Sequence, residues 1–485
     1  MGSNKSNICE DTNQSFLTLP PPKTNSGQKF NAILKGKQYN FMKNEKWTRS
    51  YKMLFYHLCF ASSLSPMVLL PPLYGSNLYV TYKNDSSLKF YCPKKITNKM
   101  LWVNPMFVVP PMFNCLFQLM QVYWDEEMQN FKSRPNTTIF VRDFGGDVSV
   151  KYVDQGIFGY HFIESFASLL KDLKHKGYII HQNLFAAPFD WRMAVAGLDE
   201  YWHSLKYVIE HAYILNNNTK VIVFGFSCGG FTLQYFLGNI ADQEWKDKYI
   251  DRAIFLAPSF GGSGMSFGSL WEKALPILPI LKNDDLAAMI DSMPVIHQHL
   301  PNWAVFGDKA VVQSPHDEVY NASQIPDLLI EKQKITGDNI KIMKKAVNLS
   351  RLYPKPPGVP TMIIYNTAVD TEFFYHFKNG WEKPAIIKHE GGDGTILRQG
   401  PEYACKNWPA PIVCIDLYRD HDDFNHQPLA SNPYVHKLIY DATSNNDWIR
   451  DQSRTLIRSP YVIVGNGTYT VLDEIRPEKV NKTPN

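Results

Sequence analysis

Long apolar runs are scarce in this sequence. A membrane-spanning helix needs roughly 20 apolar residues, and the nearest approach, 53–72, reaches that length only by consuming M-V-L-L-P-P at 67–72, which reads instead as a first core strand. Dense Lys/Arg clusters are missing too, and a net charge of +4 over 485 residues is small. A nucleic-acid-binding face is thereby excluded. Seven cysteines without a C-x-x-C spacing exclude both a disulfide scaffold and a zinc ribbon. No internal repeat is present. Charged residues make up 20% and apolar residues 44%, which sets disorder aside and supplies a sizeable core.

What is abundant is aromatic: 14% of the chain, with 11 tryptophans, favouring a lipid, sugar or interface role. The first fifty residues are polar, carry P-P-P at 20–22, and read as a disordered tail over 1–52. Lys43, Lys46, Arg49 and Lys52 then precede M-L-F-Y-H-L-C-F-A and S-S-L-S, so 53–65 has the layout of a secretory signal, with a start at Met42 or Met53 as one option and an N-terminal anchor as the alternative. Acceptor sequons at Asn84, Asn136, Asn217, Asn321, Asn348, Asn466 and Asn481 point the same way, toward a secreted or lysosomal glycoprotein.

Short β-branched runs predict strands at 67–71, 138–142, 221–225, 252–256, 361–365, 385–388 and 411–416. Helical patterns lie between several of them. Phe162, Phe166, Leu169, Leu170 and Leu173 share one face of 161–173, and 198–214 and the stretch after Ser227 read similarly. Strands alternating with helices predict an α/β fold with a mainly parallel sheet. Two stretches break the alternation. The Pro- and Met-rich run in 92–130 fits no core helix, and 260–310 opens G-G-S-G-M-S-F-G and reads as a mobile flap. Either could be a buried insert core or a surface that meets lipid.

In V-I-V-F-G-F-S-C-G-G-F-T at 221–232, Gly225, Ser227 and Gly229 supply G-x-S-x-G between a predicted strand and a predicted helix. In α/β hydrolases that turn exposes a nucleophilic serine, the glycines permitting strained backbone angles. Such a serine needs a base oriented by an acid, in the chain order Ser, Asp/Glu, His. Asp393 in E-G-G-D-G-T-I is the preferred acid, flanked by glycines, with Asp370 as runner-up. His421 and His426 both follow the predicted strand at 411–416 and stand even as the base.

In order along 67–442, M-V-L-L-P-P-L-Y-G-S-N-L, F-A-A-P-F-D-W-R, G-F-S-C-G-G, G-G-D-G-T-I and H-Q-P-L-A-S-N resemble motifs of the lecithin–cholesterol acyltransferase family, in particular its lysosomal (group XV) phospholipase A2 branch. The resemblance implies an α/β-hydrolase core in which Asp393 is the acid and His426 the base, with Leu73 and Cys228 offering backbone N–H groups to an oxyanion. It also implies a Cys92–Cys115 disulfide stapling a membrane-binding insert, leaves Cys228 unpaired, and leaves a Cys405–Cys414 pairing open. The chain departs from the family pattern at Phe226 (usually histidine), Pro72 (glycine), Leu73 (aspartate in the lysosomal branch), Ser76, Leu116 and the stretch after 445.

The expected organisation is a core begun at 66–91, an insert at 92–130, core again at 131–259, a cap or lid region at 260–358, core with acid and base at 359–445, and an extension at 446–485. By this resemblance the chain is a phospholipid acyl hydrolase or O-acyltransferase working through an acyl-enzyme at a membrane or lipoprotein surface, with water or an alcohol as acceptor and with no metal or other cofactor. A neutral lipase and a catalytically silent lipid-binding protein are the alternatives.

Overall fold

The computed structural model describes residues 64–83, 88–154, 156, 161, 163–276, 281–350, 352 and 354–444, with the backbone alone of 454–458, 461–464 and 468–471. The polar tail, most of the signal-like segment, Phe162, and the sequons at Asn84, Asn466 and Asn481 lie outside them.

Apolar runs become strands where both faces are covered. The central sheet comprises β1 (Met67–Leu70), β2 (Leu184–Ala186), β3 (Val221–Phe226), β4 (Ile250–Leu256), β5 (Thr361–Tyr365), β6 (Ile412–Asp416) and β7 (Arg454–Arg458). Their spatial order is β7-β6-β5-β4-β3-β1-β2, every pair parallel. This is an α/β-hydrolase core. Within β1, Val68 and Leu70 join one apolar cluster while Met67 and Leu69 join the other, as the two-residue period of a strand requires. Arg252 interrupts the apolar run of β4, and its charge is met inside the core by Asp251 at 2.7 Å and the Ala442 carbonyl at 2.7 Å.

The predicted helices appear with shifted starts. Ala167–His175 buries Leu169, Leu170 and Leu173, and Asp199–Leu215 buries Trp202, Leu205, Val208, Ile209 and Ala212. The extension adds β7 to the edge of the central sheet, Ile412 lying beside Arg454.

The 92–130 stretch does contain a core helix, contrary to the sequence expectation. Ile96–Trp102 is a strand between 78–82 and the disulfide-stapled helix Met112–Met120, which buries Cys115, Leu116, Phe117, Leu119 and Met120. Pro110 and Pro111 end the preceding turn, so the helix starts only after them. The segment 260–310, expected as a flap, forms helices Gly264–Glu272, Asp284–Ser292 and Pro294–Gln298, which bury Phe267, Leu270, Trp271, Leu286, Met289 and Ile290. Beside it lies a second sheet ordered 319–321, 310–313, 369–376, 386–392.

The chain order reverses around β1: β2 lies on one side of it and β3 on the other. In open parallel sheets the crevice at the carboxyl ends of such strands is where ligands bind. Leu73 follows β1 there, and Ser227 follows β3.

Candidate active site

Ser227 caps β3 at φ 55° and ψ −121°, a backbone conformation that few non-glycine residues adopt. The turn is held by close approach on both sides. A Cβ at Gly225 would come within 2.7 Å of the Gly229 carbonyl, and one at Gly229 within 2.3 Å of the Pro71 carbonyl. Only glycine lets the strand end and the helix start meet so tightly.

The turn delivers the Ser227 hydroxyl to a histidine. Its Oγ lies 2.8 Å from His426 Nε2, and His426 Nδ1 lies 2.7 Å from Asp393 Oδ2. A carboxylate only accepts, so Nδ1–H donates to it and Nε2 is left to accept the serine proton. The other carboxylate oxygen, Asp393 Oδ1, accepts from the backbone N–H groups of Thr395 at 3.0 Å and Ile396 at 2.7 Å. All three side chains are nearly enclosed: Ser227 is 6% exposed, Asp393 2% and His426 9%. Phe226, where the family pattern has histidine, stacks on the imidazole with ring centroids 5.1 Å apart.

The alternatives separate cleanly. Asp370 lies exposed in the strand Val369–His376 and pairs with Gly391. His421 is exposed and its ring caps a short turn by accepting from Asp423 N–H. Asp393 reaches the site as the strand 386–392 ends, four residues beyond the strand end that the sequence predicted.

The amides of Leu73 and Cys228 donate to no acceptor among the described residues. Cys228 opens the helix Cys228–Tyr235, where the first N–H groups have no helical partner. Burial pushes its thiol up to about 12, so it stays protonated and inert. Cys92–Cys115 and Cys405–Cys414 are both disulfides, and Cys228 is free.

Two features escaped the sequence reading. Within the A-P-F-D-W-R string, Trp191 Nε1 donates to the Ser76 carbonyl at 3.1 Å and its ring meets Tyr74 and Trp102 edge-on. Arg192, wholly buried, grips Asp190 and donates to the Met120 carbonyl and Ser133 Oγ, tying this string to the helix Met112–Met120 and to the strand 130–133. The second is a buried Ser259–His299 hydrogen bond beside Ser227. Only the A-P-F-D-W-R string carried a sequence signal.

No metal-binding group of His, Cys, Asp or Glu occurs among the described residues. The sequence profile described as Lecithin:cholesterol acyltransferase matches residues 97–327. The chain is similar to a phosphatidylcholine-sterol acyltransferase of Gallus gallus, 26% identical over 357 residues, covering 72% of this chain and 82% of that one. It is similar to a lysosomal phospholipase A and acyltransferase of Bos taurus, 24% identical over 355 residues, 72% of this chain and 84% of that one. Among solved structures, one described as the Tle4–Tli4 complex superposes with a TM-score of 0.47 at 11% identity, covering 80% of this chain and 99% of that chain.

Proposed function

The chain belongs to the lecithin:cholesterol acyltransferase family, and from that premise we propose that it is a serine-dependent phospholipid acyl hydrolase and O-acyltransferase. One observation carries the reading: the unbroken hydrogen-bonded line from Ser227 Oγ through His426 to Asp393, at 2.8 Å and 2.7 Å.

In that reading Ser227 Oγ attacks the ester carbonyl carbon while His426 Nε2 takes the hydroxyl proton. Asp393 stabilises the imidazolium and holds its tautomer. Negative charge on the carbonyl oxygen meets the N–H groups of Leu73 and Cys228, and losing one such donor typically costs about 2.7–4 kcal/mol of barrier. The imidazolium returns its proton to the departing lysolipid oxygen, leaving an acyl-serine. Water or an alcohol then gives a proton to His426 as it attacks the acyl carbon, and the imidazolium returns that proton to Ser227 Oγ as the acyl–serine bond breaks. Transfer exceeds hydrolysis where the site holds the alcohol at high effective concentration and excludes water.

The disulfide-stapled insert supports docking on a lipid surface. Phe90 is 93% exposed, and Met106, Val108 and Val109 stand about half exposed beside exposed Pro110 and Pro111. Apolar side chains clustered in this way enter the interfacial region of a bilayer or lipoprotein. Two disulfides fit folding in the secretory pathway. No helix among the described residues is long and apolar enough to cross a membrane.

The test is Ser227→Ala with a fluorophosphonate probe. The wild-type protein takes the label and cleaves phosphatidylcholine, and the variant does neither while keeping its thermal unfolding profile. Cleavage by the variant sinks the proposal. Mass spectrometry of products from phospholipid–sterol liposomes then separates free fatty acid from acylated alcohol, and triacylglycerol as the better substrate would point to a neutral lipase.

A further inference from the structure

A second serine–histidine pair lies behind the first. Ser259 Oγ is 2.9 Å from His299 Nε2, and His299 Nδ1 is 2.8 Å from the Val295 carbonyl. Ser259 is 1% exposed and His299 6%. A carbonyl only accepts, so Nδ1 carries the proton; Nε2 is the acceptor, and the Ser259 hydroxyl donates. Every polar atom of the ring is satisfied in its neutral form, the condition under which burying an imidazole is tolerable.

The pair is wired to the nucleophile. Ser259 N–H donates to the Ser227 carbonyl at 3.4 Å, an oxygen that also accepts from Phe231 N–H at 3.1 Å. The Phe231 ring, on the nucleophile's helix, lies 5.9 Å from the His299 ring. On the far side, Ser263 N–H donates to the His299 carbonyl at 2.8 Å, and Gly262, at φ 78°, packs so closely that a Cβ there would meet that carbonyl at 2.7 Å. The loop 257–263 is thus held between Ser227 and His299.

We propose that Ser259 and His299 are positioning residues for the reaction at Ser227: their hydrogen-bonded pair, made by a neutral imidazole, fixes the loop that contacts the nucleophile's carbonyl. The proposal rests on the acyl-transfer chemistry given above. The two rings differ in what stands behind them. His426 has a carboxylate, which stabilises a positive ring; His299 has a carbonyl, which supplies no countercharge. Burial therefore holds His299 below the ordinary histidine range, and a charged His426 pushes it further down.

Around the ring, the short helix 294–298 contributes His297, whose Nε2 is bonded to the Asp291 carbonyl instead. The loop 257–263 brings no titratable group other than hydroxyls, and the nucleophile's helix brings the protonated Cys228 thiol and Tyr235. No lysine, arginine or carboxylate pairs with His299 among the described residues, so His426 is the ionisable neighbour that matters.

The experiment is a pH–rate profile on a short-chain soluble ester, which removes membrane docking from the measurement, for wild type, His299→Gln, Ser259→Ala and Ser227→Ala. Wild-type log(kcat/KM) is expected to fall with acid at a slope of one and then steepen to two as the second ring charges. His299→Gln, which keeps an acceptor for Ser259 and cannot be protonated, holds a slope of one throughout. Ser259→Ala removes the donor to neutral Nε2, so the steepening moves to higher pH, and kcat falls about tenfold with KM unchanged. A His299→Gln profile superimposed on wild type, or a Ser259→Ala profile lowered without any shift in its acid limb, overturns the inference; if His299→Gln fails to fold, the Ser259→Ala shift alone decides. Residual activity in Ser227→Ala overturns the reaction itself, whereas a dead Ser227→Ala with an unmoved His299→Gln profile removes only the role of the second pair.

Discussion

Asp393 and His426 are tied twice: the carboxylate Oδ2 lies 2.7 Å from the ring Nδ1, and the Asp393 carbonyl accepts the His426 backbone N–H, also at 2.7 Å. The second bond fixes the loop that carries His426 to the loop that carries Asp393. Imidazole orientation at this site therefore depends on main chain as well as side chain.

Asp393→Asn tests the side-chain half of that tie. The amide preserves the shape but offers an N–H toward Nδ1, which favours the wrong tautomer and points a proton at Ser227. With the main-chain bond intact the fold is expected to persist, while kcat on a soluble ester falls by about 10³–10⁴ and KM changes little. A drop below tenfold would remove Asp393 from the relay.

Gly229→Ala tests the turn. Its Cβ would sit 2.3 Å from the Pro71 carbonyl and 2.4 Å from that of Leu70, both rigid backbone at the end of β1. Fluorophosphonate labelling of Ser227 is expected to vanish and the unfolding temperature to fall. Gly337→Ala is the control, at φ 59° with nothing within 4 Å of the new atom; its strain costs about 1–2 kcal/mol and leaves labelling intact. Equal labelling of the two variants would mean the turn can relax.

The core strands were legible because strands buried on both faces spell continuous apolar runs, as in Val221–Phe226 and Thr361–Tyr365. Asp393 was legible through its glycines. Chain order could not divide His421 from His426, since both follow β6 within ten residues and differ only in which way the loop turns. Resemblance to a family made that choice, and it is His426 whose ring lies 2.8 Å from Ser227 Oγ. The helix Met112–Met120 was hidden by the prolines before it, and its exposed neighbours, Met106 and 108–111, lent the whole stretch a surface character. Ser259 and His299 stand forty residues apart without a motif, so only tertiary packing brings them together.

Lipid docking by the exposed apolar face at Met106 and 108–111 is tested better by single changes than by a deletion. Removing 98–113 would take most of the strand Ile96–Trp102 out of its sheet and confound docking with folding. Single changes at exposed positions are cleaner: Phe90→Ser, Val108→Ser and Val109→Ser remove apolar side chains that stand in solvent. Each such side chain is worth about 1.5–3 kcal/mol when buried in lipid, so liposome binding measured by flotation should weaken about tenfold or more per change. Turnover of a soluble ester should stay within about twofold. Parallel loss on both readouts would make this face structural.

His297 gives a stability signature in acid. It is fully buried, donates from Nε2 to the Asp291 carbonyl at 2.8 Å, and its Nδ1 has no partner among the described residues. Burial, reinforced by the Lys273 ammonium nearby, lowers it from the ordinary 6.5 to about 4. The unfolded chain therefore binds a proton that the folded chain refuses. Above the ordinary value the folded state bears no penalty; as pH falls from 6.5 toward 4 stability is lost, and the loss levels off below the folded value. The shift corresponds to about 3 kcal/mol. His297→Gln keeps a donor for the Asp291 carbonyl and cannot titrate. Urea unfolding at pH 7 and pH 4 should show wild type losing roughly 3 kcal/mol more than this variant, with carboxylate effects common to both. Equal losses would mean that the imidazole is charged or solvated in the folded state, since only a ring kept neutral by burial couples folding to protons in this direction.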